Sequence, residues 1–525
     1  MRFFVLAAAL GLATPALQAQ KVKVNWSEES KVELEYGSLV RGNGSEMIKL
    51  CFENKGGGLF SKRTSTPILS RYSNKLIEQG LRSYTVQEDN ITFNGLVSVQ
   101  NNLFMFTNQY DKETKSTSFY AQKIDPKSLN PSGKSITVAR MAAIDRGRQS
   151  TGNYELSKDS SKILFFGLSP YSKKDVEKYY MSVYDAEMNK MWDNTVELPY
   201  LDKFVSINDY MVTNDGVVGI IIKHYDREVV KEKIKEDGSN IPAYKTKFLL
   251  YQKGETKPKE YVLDLNDKFV QTVQIAGDKN NNLALFGLYK AKYNGYVNGY
   301  FMASLNQAAN KIEMSKMEAF PEELVTLVKI DKQGSDKEKD PGLSANFYLA
   351  DVVERADGSK DYILEYYQKI MRSSYNASSR TWTYYPYYTY GDIIDLHVKN
   401  DKTVITRIPK WQATANTYMY SGFKALSVNN KLVLFYNDEK DNVDRDLAKK
   451  PDDITNFGKS VLAMAVIDQK DMLTRSIIYD HRDMKLTTCI GVSQKLGNDK
   501  IGLYAHKTGG LFSSAKDMVG VLEVN

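Results

Sequence analysis

The densest chemistry in this 525-residue chain is aromatic: residues 381–390 read TWTYYPYYTY, one Trp and five Tyr around Pro386. Side chains alternate along a strand, so in an extended segment Trp382, Tyr384, Tyr388 and Tyr390 share one face with Pro386, and Tyr385 and Tyr387 share the other with the threonines. Such a row of rings stacks on sugar rings or anchors a protein, and aromatic anchors dominate many interfaces. All six, Trp382, Tyr384, Tyr385, Tyr387, Tyr388 and Tyr390, are therefore the candidate binding residues. The bland reading is a strip folded against its own scaffold.

Other chemical patterns point away from catalysis. GKS at 133–135 ends like a phosphate-binding loop, but Ser128 stands where that motif needs Gly and a strand-like ITVARM follows where it needs a helix. The four histidines, at 224, 397, 481 and 506, form no metal-binding pair, and no Gly-x-Ser-x-Gly elbow occurs. The acidic run DEKDNVDRD (438–446) and the calcium-loop-like DKNNN (278–282), which lacks the Gly and distal Glu, read as solvated loops. No metal and no cofactor is expected, and a binding role is expected over an enzymatic one. A glycosidase's paired carboxylates would have to come from separate repeats, which no spacing displays. Cys51 and Cys489, the only cysteines, lie in the apolar stretches IKLCFE and TTCIGV. They are a candidate disulfide in an exported protein, or else two buried thiols.

Net charge is +7, but Lys and Arg are interleaved with Asp and Glu. Nucleic-acid binding needs a concentrated basic face, so none is expected. The opening MRFFVLAAALGLATPALQAQ pairs one Arg with an apolar stretch, a Pro15 break and a small Ala19, the pattern of a cleavable leader over residues 1–19. Its apolar core is too short to span a bilayer, and no later run reaches the roughly 18 apolar residues a membrane helix needs. The expected destination is the periplasm, the outer-membrane surface or the medium. The expected partner is a protein or glycan of the envelope.

The elements that must position the rings come from repetition. A polar turn followed by an apolar strand recurs eight times, as in KDSSKILFF (158–166), NDGVVGIII (214–222) and VNNKLVLFY (428–436). Turn centres near residues 43 and 498 give a mean period of about 65 residues, longer than the ~40–45 of WD40 repeats. A second strand with alternating polarity follows each turn, and a further short strand follows seven of these. KGGGLFSK (55–62) and KTGGLFSS (507–514) align without gaps, so the first and last repeats are one kind of unit. Regular strands with turn signals argue an all-β class.

LSKDSSKILFFGLS (156–169) resembles the repeat of TolB-type propellers, with Lys158 and Ser160 replacing the usual Pro and Gly. The resemblance implies a β-propeller and nothing about its task. The expectation is therefore a single propeller over residues 20–525 of eight four-stranded blades, with seven as the alternative count. KVKVNW (21–26) should complete the last blade, which runs out of chain after three strands. Three long insertions, 226–245, 369–391 and 437–459, fall between second and third strands and so share one rim, the usual place for binding function.

Overall fold

The computed structural model describes residues 21–31, 35–42, 46–55, 64–84, 91–225, 233–236, 239–277, 283–307, 309–330, 332–337, 340–376, 378, 380–507 and 515–525. The leader, DKNNN, and all but the first lysines of KGGGLFSK and KTGGLFSS lie outside them.

Among the described residues, eight antiparallel sheets built on four-strand paths follow one another along the chain, six of them four-stranded and the sixth and eighth extended by further short strands. In the first, Glu35–Arg41, Met47–Lys55, Thr64–Tyr72 and Glu78–Ser83 bond in chain order. The sixth repeats this with Phe347–Glu354, Lys360–Asn376, Thr381–Lys399 and Lys402–Ile408. The second strands are nearly unbroken apolar runs because both their faces are buried. In Lys431–Asp438, the second strand of the seventh sheet, Leu432, Leu434 and Tyr436 enter a core shared with the sixth sheet, while Val433 and Phe435 enter a core shared with the eighth. Fourth strands are wetter; Leu473–Asp480 has no fully buried position.

Eight such apolar clusters join each sheet to the next, and the last joins the eighth sheet back to the first through Cys489, Tyr504, Val519, Leu39, Met47 and Tyr72. The fold is a β-propeller. Its closure is the expected one: Val22–Trp26 forms the outer strand of the eighth sheet, antiparallel to Lys516–Val524 with Val22 opposite Val524 and Trp26 opposite Gly520. Across the same seam Tyr36 stacks on Tyr504 at 3.8 Å, and the Lys49 ammonium reaches Asp517 at 3.2 Å.

Two features depart from the sequence reading. Helix α1, Glu322–Ile330, fills the connection from the fifth to the sixth sheet and buries Leu324, Val325 and Val328. The first strand of the eighth sheet is broken: Thr487–Thr488 and Gln494–Lys495 both pair with Lys500–Lys507, and a 3-10 turn, Ile490–Val492, separates them. Cys489 therefore sits at the head of that turn and not within a strand. It and Cys51 are free buried thiols and form no disulfide in this structure. Cys489 Sγ faces the Thr487 carbonyl at 3.9 Å. Burial pushes the Cys51 thiol up to about 11 and that of Cys489 higher still.

Candidate functional site

The second and third strands of blade six are the longest among the described residues, 17 and 19 residues, and they stay paired from Lys360↔Val398 to Asn376↔Thr381. TWTYYPYYTY is thus one side of a hairpin arm that continues the blade beyond the rim. The register places Tyr375 opposite Trp382, Met371 opposite Pro386, Lys369 opposite Tyr388 and Tyr367 opposite Tyr390, so these residues share one face of the arm.

That face changes character along its length. At the tip, Trp382 and Tyr384 are 59% and 69% exposed, and Met371 and Tyr375 are 61% and 49% exposed. At the base, Tyr388 is only 9% exposed: it meets Tyr418 edge-on at 5.8 Å and lies under the Lys369 ammonium. The base is held by Gln412–Ala415, a short strand that pairs with Tyr387 to Tyr390. Just beyond it Pro386, which has no N–H to offer, accepts from the Asn416 N–H at 2.9 Å. On the other face Tyr385 and Tyr387 are half-buried, and the Arg372 guanidinium stacks on Tyr387 at 3.4 Å. The six rings therefore divide into a solvent-facing pair, Trp382 and Tyr384, and four that pack wholly or in part against the protein.

Tyr390 belongs to a second feature. With Tyr348, Tyr418, Glu365, Lys424 and Lys495 it lines a cavity of about 430 Å³ at the inner strands of blades six and seven and the broken strand of blade eight. Two glycines make the wall. Gly422 holds φ of +84°, which an L side chain resists, and a Cβ on Gly491 would stand 2.5 Å from the Ser421 carbonyl oxygen. The break in blade eight thus lets the 418–422 loop lie directly on the 490–493 turn, where the Gly491 N–H donates to the Met419 carbonyl at 2.9 Å.

Beneath the cavity lies a buried polar network. Glu365 accepts from Lys410 Nζ at 2.8 Å and from Tyr348 Oη at 3.1 Å. Gln412 accepts from the Gly422 N–H and donates to the Asn437 carbonyl, both at 2.7 Å. Asn437 in turn donates to the Thr488 carbonyl at 2.8 Å, and Arg407 pairs with Asp392 at 2.5 Å. Buried hydrogen bonds of this kind hold their surroundings in one geometry, with Asn437 Oδ1 left without a partner. The charged groups of the cavity are unequally partnered. Asp351 is taken by Lys495 at 2.6 Å. Lys424 has only a 3.4 Å bond to the Gly491 carbonyl, and burial, then the neighbouring Lys495, push its pKa down.

The remaining sequence candidates are placed elsewhere. His481 and Ser460 meet in a buried cluster where Nδ1 lies 2.9 Å from the Phe457 carbonyl and 3.0 Å from Ser460 Oγ. The Phe457 carbonyl therefore holds the Nδ1 proton, and Nε2 faces the Thr488 hydroxyl at 3.3 Å. Burial pushes His481 down to about 4, so the ring is neutral and structural. The acidic run 438–446 is not simply solvated: Asp438 is fully buried and accepts from Asn442 and from the Glu439 N–H. No cluster of three or more His, Cys, Asp or Glu suited to a metal is found among the described residues.

No protein-family model and no curated protein matches the sequence. Solved structures similar to it include propeller domains. The β-propeller domain of the trilobed protease from Pyrococcus furiosus is 11% identical, with a TM-score of 0.37, over 86% of this chain and 98% of that one. The WD40 domain of SCAP from fission yeast is 8% identical, with a TM-score of 0.40, over 96% and 94%. An alpha-L-arabinanase from Penicillium chrysogenum is 9% identical, with a TM-score of 0.28, over 65% and 94%. At these identities the likeness concerns the fold alone.

Proposed function

We propose that this protein is an exported, non-catalytic β-propeller that holds a protein partner of the cell envelope on the arm of blade six. The observation that carries the reading is the contrast along one face of the arm. Tyr388 is anchored in the body of the blade, while Trp382 and Tyr384, on the same face, stand in solvent. Large rings held out on a paired, pre-ordered hairpin lose little conformational freedom on docking, which is the economy of an interface anchor. The leader-like residues 1–19 support export, and the interleaved surface charge favours a protein over a nucleic acid.

The test is co-purification from the native envelope with the parent protein and with a Trp382→Ser/Tyr384→Ser variant. A protein retained by the first and lost from the second supports the reading. Retention of the same protein by both removes the arm from it. Capture of glycans in place of protein on an array, lost in the same variant, turns the arm into a carbohydrate platform. Turnover in hydrolase or lyase assays overturns the non-catalytic reading.

A further inference from the structure

The cavity at the inner end of blades six to eight is separate from the exposed arm tip, and its charges do not balance. Three ammonium groups line or underlie it, Lys410, Lys424 and Lys495, against two carboxylates, Glu365 and Asp351. Each carboxylate already has a cation within 2.8 Å: Glu365 has Lys410, and Asp351 has Lys495. The surplus charge is Lys424, whose one hydrogen bond is the long contact to the Gly491 carbonyl. A half-buried ammonium so poorly paired costs free energy until an anion arrives. Burial and Lys495 depress its pKa, which is the same tension seen from the proton's side.

The rest of the lining selects the shape of that anion. Tyr348, Tyr390 and Tyr418 contribute aromatic rings to the lining, and Ser421, Ser493 and Gln494 stand among them with groups that pair with hydroxyls. The Ser421 hydroxyl is buried without a hydrogen-bond partner. Aromatic faces beside hydroxyl-matching groups suit a pyranose, and its volume of about 430 Å³ falls within the ~300–1,000 Å³ of small-ligand sites. We infer that this cavity binds an acidic saccharide, with the carboxylate of a uronic acid residue on Lys424 and its ring against the tyrosines. A charge-assisted bond of this kind is stronger than a neutral one, so the site should separate uronates from neutral sugars.

Calorimetric titration of the full chain with di- and trigalacturonate, and with neutral galactobiose as control, tests this. The expected result is binding of the uronates at least about tenfold tighter than of galactobiose, a preference erased in Lys424→Met, partly restored in Lys424→Arg and unchanged in Trp382→Ser/Tyr384→Ser. Lys424→Met keeps the stem's packing and removes a half-buried, poorly paired charge, so its melting temperature should not fall, and that measurement separates lost binding from lost folding. Equal affinity for neutral and acidic sugars, no uronate binding, uronate binding indifferent to Lys424→Met, or equally tight binding of a triglutamate peptide would each overturn the inference. Loss of uronate binding in the arm-tip variant would place the site on the arm instead. Because the arm's protein partner is scored separately, either reading can fail alone.

Discussion

The indole of Trp26 lies so close to Gly520 that a Cβ on the glycine would stand 2.5 Å from Trp26 Cε3. These residues are opposite each other where the first described strand of the chain pairs with the last, and the indole also meets Tyr479 of blade seven edge-on at 6.3 Å. The bare glycine is what lets the ring cover the seam. Gly520→Val should push the indole away and destabilise the fold by about 1–3 kcal/mol, the usual cost of overpacking. Deleting residues 21–26 should do more, because it leaves Lys516–Val524 as an open edge available to other chains. Thermal melting with light scattering reads both effects. An unchanged melting temperature and a monodisperse deletion variant would show that the N-terminal strand does not close the ring.

The arm makes opposite predictions at its two ends. Trp382→Ser/Tyr384→Ser removes exposed rings and should leave the melting temperature within about 1 °C of the parent, since surface changes are usually near neutral. Tyr388→Ala removes a buried ring beside Tyr418 and should cost about 2–4 kcal/mol. Denaturant midpoints for the two variants decide the matter. A large loss from the tip variant would make those rings packing rather than interface.

Much of the fold was readable in the sequence because propeller strands carry their own signature. Turns such as KDSS and NDGV precede runs such as KILFFGL and VGIIIKHY. Closure by KVKVNW followed from counting strands. The site was legible only in its most local part. Alternation correctly grouped Trp382, Tyr384, Tyr388 and Tyr390, but it is silent on depth, and Gln412–Ala415, the strand that buries the base of the arm, carries no turn or period that announces it. The cavity was invisible for a stronger reason. Glu365, Lys410, Lys424 and Lys495 come from three blades and one inter-blade loop, and nothing within any one repeat marks them as neighbours. Helix α1 had a signal, Pro321-Glu322-Glu323 ahead of Leu324, Val325 and Val328, in keeping with helix-start chemistry. A nine-residue helix among so many strands is easily read as loop.

Arg355 holds the most concentrated buried charge. Its guanidinium is bidentate to Asp361 at 2.8 Å for both bonds and donates to the Asp468 carbonyl at 3.1 Å. The same Asp361 lies 2.6 Å from His397 Nδ1. Nearby Asp395 is fully buried with neither carboxyl oxygen hydrogen-bonded, and burial, then Asp361, raise its pKa well above the carboxylate range. Arg355→Met leaves Asp361 buried without its cation and should cost about 3–5 kcal/mol. Arg355→Met/Asp361→Asn should recover part of that loss, because no orphan charge remains. Urea unfolding of both variants checks it, and equal midpoints for the single and double variants would refute the electrostatic cause.

Among the buried groups through which stability should depend on pH, Asp438 and His481 act with opposite sign. Burial raises Asp438 to about 7 against opposing bonds from Asn442 and the Glu439 N–H. Between about pH 4 and 7 the folded chain thus keeps a proton that the unfolded chain has released, and stability falls as pH rises through that window. Burial lowers His481 to about 4. Between about pH 4 and 6.5 the unfolded chain holds a proton that the folded chain lacks, and stability rises with pH there. At about 1.4 kcal/mol per pKa unit each effect is on the order of a few kcal/mol, and they offset each other below about pH 6.5. Asp438→Asn should therefore leave a melting temperature that climbs more steeply than the parent's from about pH 4 to 6.5, and His481→Gln one that falls relative to the parent's over the same range. Melting curves across that range, compared as differences from the parent, read the two slopes separately. Parallel profiles for all three proteins would mean that neither group changes its proton occupancy on folding.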